Sequence, residues 1–170
     1  MYWMNGMSER RDVKSMMLSL VIPVYNEEQN IAPLIARLQQ VLAPIGCGYE
    51  LLFCMDPCSD GTEREILAAR EKDPRIGLIT FSRRFGQPAA VLAGIEHCSG
   101  DACVVIDADL QDPPELIADM VAAWREGYDV VYAQRTTREG ETLIKKAVCA
   151  LGYWLLNRIS DVRIPRNTGD

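Results

Sequence analysis

Histidine is almost missing from this chain: His97 is the only one in 170 residues. A histidine-built metal centre is thereby excluded. A Ser-His-Asp triad has one candidate base and no Gly-x-Ser-x-Gly elbow to serve it. The six cysteines, at positions 47, 54, 58, 98, 103 and 149, form no C-x-x-C pair. Cys54 and Cys58 lie close together, but no second cluster completes a zinc site. In apolar surroundings such cysteines act as small core residues, and they suit a reducing, cytosolic setting. No run of 18 apolar residues exists, so no segment of this sequence reads as a membrane span. The opening "MYWMNGMSERRDVKSMM" lacks the apolar stretch of a signal peptide, and residues 1–17 are expected to be a disordered leader. Two phosphate-binding fingerprints are also missing. The nearest approach to G-x-G-x-x-G, "GCGYEL", lacks the third glycine and precedes a strand instead of following one. G-x-x-x-x-G-K-[ST] does not occur, which argues against a P-loop nucleotidase.

What is present is an ordinary globular balance: 48% hydrophobic and 25% charged residues. The net charge of −6 is unevenly spread. Residues 1–132 carry 11 Lys/Arg against 20 Asp/Glu, and residues 133–170 carry 7 against 4. A basic tail on an acidic body suits an anionic partner, or simply a solvated helix face. Apolar runs alternate with helical spacing. Strands are expected over residues 18–24 (LSLVIPV), 49–55 (YELLFCM), 76–81 (IGLITF), 102–107 (ACVVID) and 129–133 (DVVYA). Helices are expected over 31–42, 62–72, 88–98, 114–125 and 141–159, with a Thr62/Glu65 capping box opening the second. Five strand–helix alternations predict an α/β domain, a mostly parallel sheet flanked by helices. No internal repeat or domain boundary is evident, and residues 18–170 read as one domain.

Ligands of such sheets bind beyond the carboxyl ends of the strands. Those ends carry "PVYNEE", "DPCSDGT", "SRRFGQP", "DADLQDPP" and "QRTTREG". Carboxylates and arginines gather there. Asp60 and Asp112 fit helix caps; the whole set does not reduce to caps. In "VVIDADLQDPPE" an extended chain would turn Asp107, Asp109 and Gln111 to one side, with Ala108 and Leu110 toward the core. Paired carboxylates repel unless a hard cation sits between them. Mg2+ or Mn2+ is held by one or two carboxylates plus substrate phosphates. The pattern therefore favours a metal–diphosphate site.

Five ordered segments, "SLVIPVYNEEQNI", "DPCSDGT", "SRRFGQPAAVLAGIEHCSGDACVVIDADLQDPPE", "GYDVVYAQR" and "IPRNTGD", resemble the family 2 glycosyltransferases, above all the polyprenyl-phosphate sugar transferases. The resemblance covers residues 18–170. It implies a GT-A fold, a Rossmann-like nucleotide-binding domain. It implies a nucleoside pocket lined by Pro23, Tyr25 and Glu27, with Asp56 on the base. Asp107, Asp109 and Gln111 would hold Mg2+ or Mn2+ and the sugar diphosphate, Asp107 also belonging to the nucleotide site. Arg135 and Arg138 would meet the acceptor phosphate. Asp170 and Asp109 would be the catalytic acids, Asp170 as base or as orienting group. The implied reaction is inverting transfer from a nucleotide sugar, UDP-glucose or a relative, to a polyprenyl phosphate. The alternatives are a soluble member acting on a polysaccharide, and a nucleotide-sugar-binding fragment without activity.

Two positions depart from the family pattern. Met55-Asp56-Pro57-Cys58 replaces D-D-G-S, and proline stiffens that loop. Gln87 stands where many members carry lysine or histidine. Members of the family also continue past the equivalent of Asp170, usually into two membrane helices. The full-length protein is therefore expected on the cytoplasmic face of the inner membrane, and this stretch alone as soluble. "ETLIKKAVCALGYWLLNRIS" mixes Trp and Leu with Lys and Arg; it suits a membrane interface or an amphipathic helix packed on the core. No nucleic-acid partner is expected, and homo-oligomer formation is left open.

Overall fold

A computed structural model describes residues 2–4, 12 and 15–133. It divides into two units, residues 8–127 and residues 1–7 with 128–170. The larger unit is built on a four-stranded sheet in the order β4-β3-β2-β5. Its strands are β2 (Met17–Val24), β3 (Gly48–Met55), β4 (Ile76–Thr80) and β5 (Ala102–Val105). All three pairings are parallel. The expected α/β class with a parallel sheet is what forms.

The sheet separates two cores. On one face, Leu18, Leu20, Ile22 and Val24 of β2 meet Leu51, Phe53 and Met55 of β3. Helix α1 (Glu28–Leu42) lays Ile31, Leu34, Ile35, Leu38 and Leu42 on them, the spacing legible in the sequence. Ile66 of α2 (Thr62–Lys72) and Ile117 and Val121 of α4 (Leu116–Arg125) complete that side. The other face carries Val21, Leu52 and Cys54 under Ala90 of α3 (Gln87–His97). Helix α3 sits close because Gly94 has no side chain. A Cβ there would run into Val21 Cγ1 and stand 2.9 Å from Cys54 Sγ. We predict that Gly94→Val costs about 3 kcal/mol, at the upper end of overpacking penalties. A fall in the urea midpoint at unchanged slope would show it.

At the amino end of the sheet, Glu50 accepts from the Ser19 hydroxyl (2.5 Å) and from the Ser99 N–H (2.7 Å). The Gly100 N–H donates to Ser19 Oγ (2.8 Å). This knot lies where the chain re-enters the sheet as β5.

Two expectations are corrected. β5 stops at Val105 and does not reach Asp107. The Ile106 N–H still bonds to Val21 O (3.1 Å), but the chain then turns, with Leu110 at φ +62°. Among the described residues β5 is the outermost strand of its sheet, and Val105 is 45% exposed, where a continuous apolar run suggested burial on both faces. Met17 opens β2, and Tyr2–Met4 forms β1. In the smaller unit β1 pairs antiparallel with β6 (Val130–Tyr132), Trp3 opposite Val131. β6 falls within the strand expected over residues 129–133, whereas the three residues of β1 are too short a run to stand out in the sequence. The helix expected over residues 141–159 lies outside the described residues.

Candidate nucleotide and cation site

A cleft of about 230 Å³ opens at the carboxyl end of the sheet. Six of the expected site residues line it: Pro23, Tyr25, Glu27, Asp56, Asp107 and Asp109. Gln111 does not. Its side chain is exposed outside the cleft, and its N–H donates to Asp109 Oδ1 (2.9 Å). The alternation that would have aligned Gln111 with the two aspartates requires an extended chain, and the chain turns at residues 108–110. Arg135, Arg138 and Asp170 lie outside the described residues.

Each lining group is placed by a local device. Pro23, next to last in β2, lies on the cleft side. Asn26 takes φ +56°, a conformation asparagine tolerates better than most residues. The turn this makes holds Tyr25 at the mouth, where the Arg84 guanidinium lies 4.0 Å from the ring centroid. Glu27 is fixed at both ends. Its N–H donates to Thr62 Oγ1 (2.8 Å), and its Oε2 accepts from Asn30 Nδ2 (2.6 Å).

The loops after β2 and β3 are stapled together by reciprocal capping. Asp60 accepts the first N–H of α1, from Glu28 (3.1 Å), and Glu28 Oε2 accepts the Gly61 N–H at the head of α2 (3.0 Å). The expected Thr62/Glu65 capping box therefore does not form. Gly61 is the N-cap of α2, and the buried Thr62 hydroxyl donates to Asp60 (2.6 Å). Nor does Asp112 cap α4, whose N-cap is Glu115. Cys58 joins the staple: its thiol donates to Asp56 O (3.1 Å) and accepts the Asn26 N–H (3.2 Å).

Partial desolvation pushes the Asp60 carboxyl up, but the Thr62 hydroxyl and N–H and the Glu28 N–H outweigh it and hold the pKa below the ordinary 3.8. A depressed carboxyl stabilises the fold fully above its unfolded value and loses that contribution as pH falls through its folded value. Asp60→Asn is therefore expected to lower the urea midpoint at neutral pH, and the difference between the two proteins should shrink as pH falls below the ordinary carboxyl range. Paired urea titrations at neutral and acid pH check this.

Asp56 is buried, 4% exposed, and both carboxylate oxygens are engaged. Oδ1 accepts the Phe85 N–H (3.0 Å) and Oδ2 the Gly86 N–H (2.9 Å). Its first task is to hold the loop that leads into α3. Lone pairs remain on each oxygen for a ligand, because an ionised carboxylate offers about four acceptor sites.

Asp107 and Asp109 stand on one turn with the buried Ala108 between them. Among the described residues no group of three His, Cys, Asp or Glu is assembled for a metal. Two hard carboxylates are nonetheless a donor set that suits Mg2+ or Mn2+ when phosphate oxygens complete the shell. The residues therefore fit such an ion. Gln87, at the first turn of α3, also lines the cleft, and its Nε2 donates to Asp107 Oδ1 (2.8 Å). Its place after F-G was legible; its contact with an aspartate 20 residues on was not, since only the folded sheet brings the ends of β4 and β5 to one edge.

Residues 19–164 match the model of glycosyl transferase family 2, and the chain belongs to that family. It is 50% identical over 155 residues to the uncharacterized glycosyltransferase YkcC of Bacillus subtilis (strain 168), covering 89% of this chain and 47% of that protein. It is 37% identical over 155 residues to the bactoprenol glucosyl transferase of Shigella phage SfV, covering 91% and 50%. The chain thus spans about half the length of the curated relatives it matches. Among solved structures it resembles glucosyl-3-phosphoglycerate synthase from Mycobacterium tuberculosis, determined with Mn2+, UDP and glucosyl-3-phosphoglycerate. There the TM-score is 0.59 and the identity 23%, over 84% of this chain and 50% of the other. That likeness speaks for the fold, which is of the GT-A type. No helix among the described residues is long and apolar enough to cross a membrane.

Proposed function

We propose that this chain carries the donor-binding and catalytic part of an inverting transferase that moves a sugar from a nucleotide sugar to a polyprenyl phosphate. The observation that carries the proposal is the cleft itself. It sets Tyr25, Glu27 and Asp56 beside Asp107 and Asp109, so that one molecule with an aromatic base at one end and a diphosphate at the other meets both groups. The bactoprenol glucosyl transferase relative supports a polyprenyl acceptor and glucose as the sugar; UDP-glucose is the donor we propose.

In this reading Pro23 and Tyr25 flank the nucleoside, Glu27 meets its ribose, and Asp56 reads the base. Asp107 and Asp109 would hold a divalent cation, Mg2+ or Mn2+, whose charge stabilises the departing nucleoside diphosphate. The acceptor is a phosphate monoester with a second pKa of about 6, so its attacking oxygen is already largely anionic at neutral pH. Strong general-base catalysis is then not required, and Asp170 orients the acceptor while Arg135 and Arg138 offset its charge. The full-length protein would act at a membrane surface, where that acceptor resides.

The test is sugar transfer by the full-length protein in detergent, with radiolabelled UDP-glucose and GDP-mannose, Mn2+ or Mg2+, and a polyprenyl phosphate. The proposal requires label in an acid-labile product that partitions with the lipid. Label that passes only to a polysaccharide, or only to water, contradicts it.

A further inference from the structure

We propose that Gln87 is the positioning residue that presents Asp107 to the divalent cation. The inference rests on the reading of Asp107 and Asp109 as cation ligands. Gln87 Nε2 stands 2.8 Å from Asp107 Oδ1. A carboxylate only accepts hydrogen bonds, so chemistry fixes which end of the amide faces it. The amide therefore sets the rotation of the Asp107 carboxylate while bringing no charge of its own.

The platform under Gln87 is firm. Gly86, at φ +88°, turns the chain into α3, and its N–H is tied to Asp56 Oδ2 (2.9 Å). Pro88 fixes φ at the next position. Gly94 seats the same helix directly on Val21. A continuous path thus runs from Asp56 through Gly86 and Gln87 to Asp107, from the base end of the cleft to the cation end. Hydrogen-bond partners of metal ligands set ligand orientation, and their loss commonly weakens metal affinity on the order of tenfold or more. A lysine at this position, as many members of the family carry, would also offer Asp107 a donor.

Mn2+ titrated into the 170-residue chain, followed by electron paramagnetic resonance with UDP and, separately, GDP present, tests this. Gln87→Met keeps the length and removes the donor; its Kd for Mn2+ should rise on the order of tenfold. Gln87→Lys keeps a donor and should bind Mn2+ more tightly than Gln87→Met. Both variants should keep the wild-type urea midpoint, which a merely structural contact would not. Wild-type Mn2+ affinity in Gln87→Met, or an affinity loss only in step with a lowered urea midpoint, overturns the inference. Asp107→Ala separates the two levels. If it loses Mn2+ while Gln87→Met does not, only the role of Gln87 falls. If neither the wild type nor any variant binds Mn2+ with either nucleotide, the cation-site reading falls with it.

Discussion

Asp107→Ala is expected to abolish cation-dependent binding of the nucleotide sugar and to cut transfer by the full-length protein on the order of 10³-fold, the scale on which single charge-stabilising groups act. Asp107 lies at the meeting point of three elements: the turn after β5, the Gln87 amide from α3, and the cleft that also holds Tyr25 and Glu27. Its partner Asp109 shares the turn but is more exposed. One carboxylate cannot hold a hard dication against water as two can, so loss of either should be severe. Asp119→Ala removes an exposed acid on α4, away from the cleft, and should leave both readouts unchanged. Equal effects of Asp107→Ala and Asp119→Ala would mean that bulk acidity, not this turn, supports binding.

Asp56→Ala should combine a stability loss with a binding loss. Two backbone N–H groups, from Phe85 and Gly86, lose a partly buried acceptor. At 1–3 kcal/mol for each unsatisfied donor, the expected cost is about 3 kcal/mol, a Tm drop on the order of 10 °C. The loop so released carries Gln87 next, so disorder passes to the cation end of the cleft. Asp56→Asn keeps one acceptor oxygen and turns an amide nitrogen toward the other N–H. It should lie between wild type and alanine in Tm, yet bind nucleotide little better than alanine. Calorimetric melting and nucleotide titration of the three proteins check the order. An unchanged Tm in Asp56→Ala would show that the 85–86 loop is held by something else.

The contrast between Asp109 and Gln111 shows where sequence reasoning stops. The helical face of α1 and the apolar runs of β2 and β3 were legible because burial imposes a period on each, and that period survives in any fold that buries them. The gathering of acids at one sheet edge was legible because parallel strands put every carboxyl end on the same side. Gln111 failed because strand alternation was carried past Val105, into a turn that Leu110 makes at positive φ. Nothing in "DADLQDPP" separates a leucine facing the core in a strand from one at φ +62°. The capping box at Thr62 failed differently. Its local chemistry was sound, but Glu28 and Asp60, from loops 32 residues apart, reached the helix heads first. Gln87 was noticed only as a missing basic residue, since a contact made across the sheet edge has no local signature.

This one cleft is expected to take a nucleoside diphosphate and a divalent cation together. Thermal melting of the chain with UDP, UDP-glucose, GDP and GDP-mannose, each with and without Mn2+, tests it most directly. A ligand that binds only the folded state at 100 times its Kd stabilises by about 2.7 kcal/mol. One nucleotide series should raise Tm strongly with Mn2+ and little without it, and Asp107→Ala should remove the difference. No stabilisation by any of the four with Mn2+, or the same stabilisation in Asp107→Ala, would contradict the account.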